Sequence, residues 1–191
     1  YFFTQRRWDS LMRALERRGV DAPPNRFGNP GEDSANLAFP DDRKYGTVGV
    51  VVMDKTGNIV AGTSTGGTTA KRWGRVGDSP IIGAGTYAKS DVCGVSSTGT
   101  GEYFIRLTVA YAICNRIELL GETAQEAADN VIHEQLTSLG GDGGVVLLLS
   151  CLGGLVTFGI FSHIDSAYRT FASEILRINR NFRLLGKCIR L

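Results

Sequence analysis

Apolar positions recur first at helical and then at strand spacing along this chain. Trp8, Leu11, Met12 and Leu15 share one helical face, which predicts an amphipathic helix over residues 4–18 with Thr4 as its cap and Gly19 as its stop. Residues 20–46 are rich in Pro, Asn, Asp and Gly and carry no apolar period, so they read as an exposed, mobile linker. After Thr47 the spacing changes. Residues 48–53 and 59–63 read as two strands around Asp54-Lys55-Thr56-Gly57-Asn58, a hairpin. A glycine-punctuated, charged loop follows over 64–91, then a third strand over 92–98. A helix is predicted over 101–120, with Phe104, Leu107, Thr108 and Tyr111 on one stripe. A second helix opens at Thr123, where Thr123 and Glu126 form a capping box, and runs to Leu139. Residues 145–149 and 155–161 read as two more strands.

The nearly continuous apolar run over 145–161 raises a membrane question, since about 18 apolar residues can span a bilayer. The adjacent Gly153 and Gly154, with Ser150 and Thr157, point to a buried hairpin instead. Beyond Asp165 a helix-like stretch over 167–176 leads into Arg177, Arg180, Arg183, Lys187 and Arg190, which read as a solvated basic tail.

Composition narrows the class. With 191 residues the chain holds one domain with a real core, or part of a larger one. A hydrophobic content of 42% and a charged content of 21% fit a soluble globular protein, and a net charge of +2 is too small to argue for nucleic acid or an anionic membrane. Cys93, Cys114, Cys151 and Cys188 are far apart and form no C-x-x-C pair. Neither a disulfide framework nor a metal site is expected, and isolated thiols fit a reducing, cytoplasmic compartment. The start at Tyr1 reads as a fragment or a processed piece.

The candidate chemistry begins at Gly46-Thr47. A threonine hydroxyl is a weak nucleophile without a neighbouring base, and cleavage of the preceding bond would supply the residue's own α-amine. With an unperturbed pKa of about 7.7–8.0, that amine suits general-base work near neutral pH. Three later clusters supply the other parts. Gly62-Thr63-Ser64-Thr65-Gly66-Gly67 offers Thr65 as a second hydroxyl. Gly74-Arg75-Val76-Gly77-Asp78-Ser79-Pro80 offers Arg75 to clamp a carboxylate and Asp78 to hold an ammonium, together an amino-acid head group. Thr98-Gly99-Thr100-Gly101-Glu102 offers Thr98 and the Gly99 N–H as an oxyanion hole. Taken singly, each cluster also reads as ordinary strand, turn or ion-pair chemistry. A dinucleotide fingerprint is excluded at Gly99-x-Gly101, because its third glycine position is occupied by Phe104. His133 and His163 read as structural or surface residues.

In this order and spacing, Gly-Thr-Val-Gly, Gly-Thr-Ser-Thr-Gly-Gly, Gly-Arg-Val-Gly-Asp-Ser-Pro with Gly83-Ala84-Gly85, and Thr-Gly-Thr-Gly-Glu resemble the plant-type L-asparaginase/isoaspartyl peptidase family. This is a threonine branch of the N-terminal-nucleophile hydrolases. The resemblance implies an α+β, four-layer αββα sandwich and autocleavage between Gly46 and Thr47. It implies Thr47 as nucleophile, Thr65 as supporting hydroxyl, and Thr98 with Gly99 as oxyanion hole. Substrate would be held by Arg75, Asp78, Gly99 and Gly101. The activity implied is hydrolysis of the side-chain amide of L-asparagine and of β-aspartyl dipeptides. The alternatives are a glycosylasparaginase-like amidase and an unprocessed, inactive homologue. That sister family carries Asp before its threonine and Ser-Thr-Asn-Gly and Thr-Gly-Asn-Gly-Asp in its motifs; Gly46, Gly66 and Glu102 side with the asparaginase branch.

Family precursors carry a longer segment before the nucleophile, including a sodium-binding loop. With 46 residues ahead of Thr47, this chain is expected to hold a remnant of that subunit over 1–46, to lack the loop, and to use no metal or cofactor. The nucleophile-bearing core is expected over 47–164 and a divergent basic tail over 165–191. The expected partners are a small-molecule substrate and, for a complete enzyme, a second processed protomer in a dimer, with no nucleic acid or membrane partner.

Overall fold

A computed structural model of the chain describes residues 5–21, 47–150 and 158–161. The expected linker, Gly46, the basic tail, His163, Cys151 and Cys188 lie outside the described residues. The chain is α+β and divides into two compact units, one made of 1–46 with Gly66–Arg75, the other of Thr47–Thr65 with the chain from Val76 onward.

In the first unit, helix α1 (Gln5–Glu16) stops where predicted, at Gly19, whose φ of 62° is the left-handed conformation that ends helices. Trp8, Leu11, Met12 and Leu15 form a half-buried stripe beside buried Ala14. Arg7 on α1 and Arg18 just after it hold the Gly66–Arg75 segment. The Arg7 guanidinium donates to the Thr69 hydroxyl at 3.0 Å, and that of Arg18 donates to the Ala70 carbonyl at 3.0 Å.

The second unit contains two antiparallel sheets. Strands β1 (Val48–Met53) and β2 (Ile59–Ser64) form the predicted hairpin, with Val48 opposite Ser64 and Met53 opposite Ile59. Its turn is held by the Asp54 carboxylate, which accepts from the Thr56 and Asn58 N–H groups at 2.8 and 2.9 Å and from both side chains. The side-chain bond from Asn58, then that from Thr56, holds this carboxyl far below the usual carboxylate range. The second sheet has the order β3 (Thr86–Lys89), β4 (Cys93–Gly99), β5 (Gly143–Leu149), β6 (Phe158–Phe161). The predicted pairing of the 145–149 run with the following strand is present as β5–β6; residues 151–157, with Gly153 and Gly154, lie outside the described residues. No helix among the described residues is long and apolar enough to cross a membrane.

Alternation divides the four-stranded sheet into two faces. Cys93, Val95, Val145 and Leu147 face the helices and join Phe104, Val109, Ile113, Val131, Ile132 and Leu136 in the main core. Val146 and Leu148 face the hairpin and meet Val51, Ile59, Met53 and Ala61 in a smaller core between the sheets. That gap is narrow: a Cβ on Gly94 would lie 2.4 Å from Val51 Cγ1 and 2.6 Å from Ile59 Cγ2. The unit is therefore layered as ribbon, sheet, helices. The outward face of the ribbon carries Val48, Val50, Val52 and Val60, 47–68% exposed.

Three expectations are corrected. Residues 64–91 are not loop throughout, because Thr86–Lys89 pairs with β4. The 101–120 helix is broken at Thr108, whose φ and ψ of 48° and 49° separate α2 (Gly101–Leu107) from α3 (Val109–Leu120). The break shifts the buried stripe: Phe104 stays in the core, but Thr108 and Tyr111 are exposed while Val109, Ala110, Ile113 and Cys114 are buried. It also lets α3 start afresh, its first free N–H groups donating to the carbonyls of Ala84 (from Ala110, 3.2 Å) and Gly83 (from Tyr111, 2.9 Å). Lastly, Cys93 on β4 and Cys114 on α3 form a disulfide, with Cα atoms 5.7 Å apart. Strand-on-helix packing brings them together across 21 residues of chain, which spacing alone does not reveal. These two are not isolated thiols, which removes the support they lent to a reducing compartment.

The helix after Thr123 has the predicted capping box. The Thr123 hydroxyl accepts from Glu126 N–H at 3.2 Å, and the Glu126 carboxylate accepts from Thr123 N–H at 2.8 Å. It begins as α4 (Ala124–Ala128) and widens into π-helical turns over Asp129–Leu136.

Candidate active site

The hairpin register places the first two candidate residues. Val48 faces Ser64 at the open end of the ribbon, so Thr47 and Thr65, one step further on each strand, stand opposite one another. The Thr47 hydroxyl donates to the Thr65 hydroxyl at 3.1 Å. Thr47 is half-buried and Thr65 exposed, so the pair is open to solvent.

Inward-facing residues of the same strands continue into the sandwich. On β2 the alternation runs Ile59, Ala61, Thr63, and on β4 it runs Gly94, Ser96, Thr98. Where the apolar contacts give way to hydroxyls, Thr63 Oγ1 and Ser96 Oγ lie 2.6 Å apart across the two sheets. Thr63 also donates to the Gly85 carbonyl at 2.9 Å. Gly49 faces this pair, and a Cβ there would fall 2.1 Å from Ser96 Oγ. The second glycine of Gly-Thr-Val-Gly is thus dictated by the serine hydroxyl that fills its side-chain space.

Asp78 is buried, 6% exposed, and its carbonyl accepts from Ile81 N–H at 2.9 Å and Gly85 N–H at 3.1 Å. The Gly83-Ala84-Gly85 turn is a hub. Its first two carbonyls meet the start of α3, and the third accepts from both Ser97 N–H, at 2.8 Å, and Thr63. A backbone bond therefore links Asp78 to Gly85, and Gly85 is tied to one sheet by the Ser97 N–H and to the other by the Thr63 hydroxyl. Arg75 lies instead in the unit of α1, half-buried, on the segment that Arg7 and Arg18 hold. Ala70, which accepts from Arg18, is itself left-handed with φ of 55°.

Thr98 and Gly99 end β4 opposite Gly144 and Gly143. A Cβ on Gly99 would lie 2.3 Å from the Asp142 carbonyl and 2.5 Å from the Phe104 ring, so only glycine fits. The next residue is held twice by Asp142: Thr100 N–H donates to its carbonyl at 3.0 Å and the Thr100 hydroxyl to its carboxylate at 2.6 Å. Gly101 is the buried first residue of α2. His133 is exposed on the π-helical stretch, 3.6 Å from Asp129. No group of three or more His, Cys, Asp or Glu side chains among the described residues is arranged to hold a metal ion.

The structure thus brings Thr47 and Thr65 together, puts Thr98 on the face shared with Ser96, and ties Asp78 into the same unit. Sequence reasoning did not single out Thr63, Ser96 or Asp142. For the first two the signal was available in alternation, each lying two residues before a candidate on the same strand.

Comparison with known proteins adds an independent line. A family model described as Asparaginase matches residues 1–166. An isoaspartyl peptidase of Salmonella typhimurium is 47% identical over 119 residues, covering 62% of this chain and 38% of that protein. A putative isoaspartyl peptidase/L-asparaginase of Dictyostelium discoideum is 42% identical over 163 residues, 76% of this chain and 46% of its own. The human isoaspartyl peptidase/L-asparaginase is 42% identical over 106 residues, covering 56% of this chain and 34% of itself. The chain spans less than half the length of these relatives. With the family model matched across both units and all four motif clusters inside the match, the chain belongs to this asparaginase family.

Proposed function

We propose that this chain carries the nucleophile half of a threonine amidohydrolase acting on the side-chain amide of L-asparagine and on β-aspartyl dipeptides. The observation that carries the reading is the Thr47–Thr65 hydroxyl pair at 3.1 Å, at the residue the family resemblance marks for cleavage. In maturation the Thr47 hydroxyl attacks the Gly46 carbonyl, the peptide bond is exchanged for an ester as its nitrogen leaves as the Thr47 α-amine, and water then hydrolyses the ester to release the Gly46 carboxylate and restore the Thr47 hydroxyl. In turnover that amine takes the Thr47 hydroxyl proton as the oxygen attacks the substrate's β-carbonyl. Thr98 and Gly99 N–H stabilise the oxyanion, ammonia or an amino acid leaves, and water hydrolyses the β-aspartyl ester. Arg75 binds the substrate α-carboxylate, and Asp78, with the Gly99 and Gly101 backbone, binds its α-amine side. The reading needs no metal or cofactor in the chemical steps. It takes the ribbon, sheet and helices as three layers of an αββα sandwich, in a dimer of processed protomers.

Intact mass before and after incubation tests the cut. Two pieces dividing at 46/47, together with release of ammonia from asparagine or of the amino acid from a β-aspartyl dipeptide, are expected. One uncut, inactive chain would overturn the reading and favour the inactive homologue. Preference for a glycosylated asparagine would favour the glycosylasparaginase alternative.

A further inference from the structure

We infer that Thr63 and Ser96 form a positioning bridge, which sets the separation between the nucleophile's supporting strand and the oxyanion strand. This rests on the function proposed above. Thr63 lies on β2, Ser96 on β4, and the two strands belong to different sheets. Two residues further along the chain from each stand Thr65, just past the end of β2, and Thr98, on the same face of β4. The bridge therefore ties the two sheets about 7 Å short of the candidate chemistry, at a strand rise of about 3.3 Å per residue.

Proton counting gives the bridge a direction. Thr63 has one hydroxyl proton and donates it to the Gly85 carbonyl at 2.9 Å. The Ser96 proton then goes to Thr63 Oγ1 at 2.6 Å, with the Gly62 carbonyl a longer alternative at 3.3 Å. Gly85 in turn donates its N–H to the Asp78 carbonyl, so the bridge also reaches the residue proposed to bind the substrate amine. Packed sheets usually stand about 10 Å apart, too far for two short hydroxyl side chains to meet. Here glycine at 49 leaves the space that the Ser96 hydroxyl occupies. Reacting groups must sit within a few tenths of an ångström of their productive positions, and a displacement of about 1 Å costs on the order of 100-fold in rate. A hydroxyl bond with one preferred length holds that separation more narrowly than apolar contact does.

The test uses the full chain with Ser96→Ala, Thr63→Val, the double variant and Thr63→Ser. Cleavage at 46/47, kcat and KM are measured alongside hydrogen exchange at the backbone of 63–65, 96–98 and 147–148. Each single loss variant is expected to slow cleavage and kcat about tenfold or more with KM within about twofold, and the double variant to be no slower than the worse single. Thr63→Ser, which keeps the hydroxyl, should stay near the wild-type rate. Exchange should rise at 63–65 and 96–98 and stay unchanged at Leu147 and Leu148. Wild-type rates and exchange in Ser96→Ala would overturn the bridge, as would a rise spread evenly through the core or losses that multiply in the double variant. If the wild-type chain neither cuts nor hydrolyses, the function proposal fails. Exchange then decides the bridge alone: a local rise supports a sheet-to-sheet clamp, and an even or absent rise overturns it.

Discussion

Thr47 donates its hydroxyl proton to Thr65 across the open end of the hairpin, at 3.1 Å. The contact fixes the orientation of the hydroxyl proposed as the nucleophile. Thr65→Val removes the acceptor while keeping the branched shape. A lost hydrogen bond of about 1 kcal/mol corresponds to a slowing of about fivefold, to be read in the rate of 46/47 cleavage. Thr47→Ala should abolish both cleavage and hydrolysis, and hydrolysis surviving in that variant would remove Thr47 from the mechanism.

Gly49→Ala puts a methyl group into space held by the Ser96 hydroxyl, since the ideal Cβ falls 2.1 Å from it. Overpacking of this kind costs about 1–3 kcal/mol and should appear as a lower thermal midpoint. Gly49→Ala combined with Ser96→Gly should recover part of that loss, because the clashing atom is gone. A double variant no more stable than Gly49→Ala alone would place the strain elsewhere.

The disulfide between Cys93 and Cys114 closes a sequence separation of 21 residues inside the main core. Alkylation of the denatured chain should modify these two cysteines only after reduction. For a loop of this length the chain-entropy model gives about 3 kcal/mol of stabilisation, so reduction should lower the unfolding midpoint clearly. Labelling of both residues without reductant would contradict the bond.

The capping box predicts an acid-sensitive contribution to stability. The Glu126 carboxyl is lowered from its ordinary value of 4.5, first by the Thr123 backbone bond and then by the Thr123 side-chain bond. A carboxyl lowered on folding stabilises the folded state above its unfolded pKa, and the contribution is lost as pH falls through the folded pKa. Denaturant unfolding at pH 7 should therefore separate wild type from Glu126→Gln, and the difference should shrink as the pH falls below about 4. Thr123→Ala, which removes the cap itself, should cost about 1 kcal/mol near neutral pH.

Much of the local structure was legible in the residues alone. The helix stop at Gly19, the hairpin around Asp54 and the Thr123–Glu126 box all follow from interactions within a few positions. Such features depend on backbone geometry and short-range hydrogen bonds, which spacing encodes directly. The helix broken at Thr108 was not legible in this way. Its continuous apolar pattern hides a break that is compensated by the Gly83 and Ala84 carbonyls, more than twenty residues upstream. Strand β3 was missed for a similar reason, since four residues between the Gly83–Gly85 turn and the turn at Asp91 become a strand only by pairing with β4.

The candidate site divides along the same line. Residue type and order nominated Thr47, Thr65, Arg75, Asp78, Thr98 and Gly99 as candidates for one chemistry. The hairpin register that sets Thr47 against Thr65 was also implicit, because a short turn fixes which residues face each other. Only the tertiary structure decided that Ser96 meets Thr63, that Asp142 holds Thr100, and that Cys93 bonds to Cys114. Each of these joins strands or helices distant in the chain, and depends on how closely two layers approach. No period in a single strand records that distance. The sequence by itself determined which residue types stand in which order as candidates; the packing of sheet on sheet and helix on sheet decided which side chains distant in the chain meet.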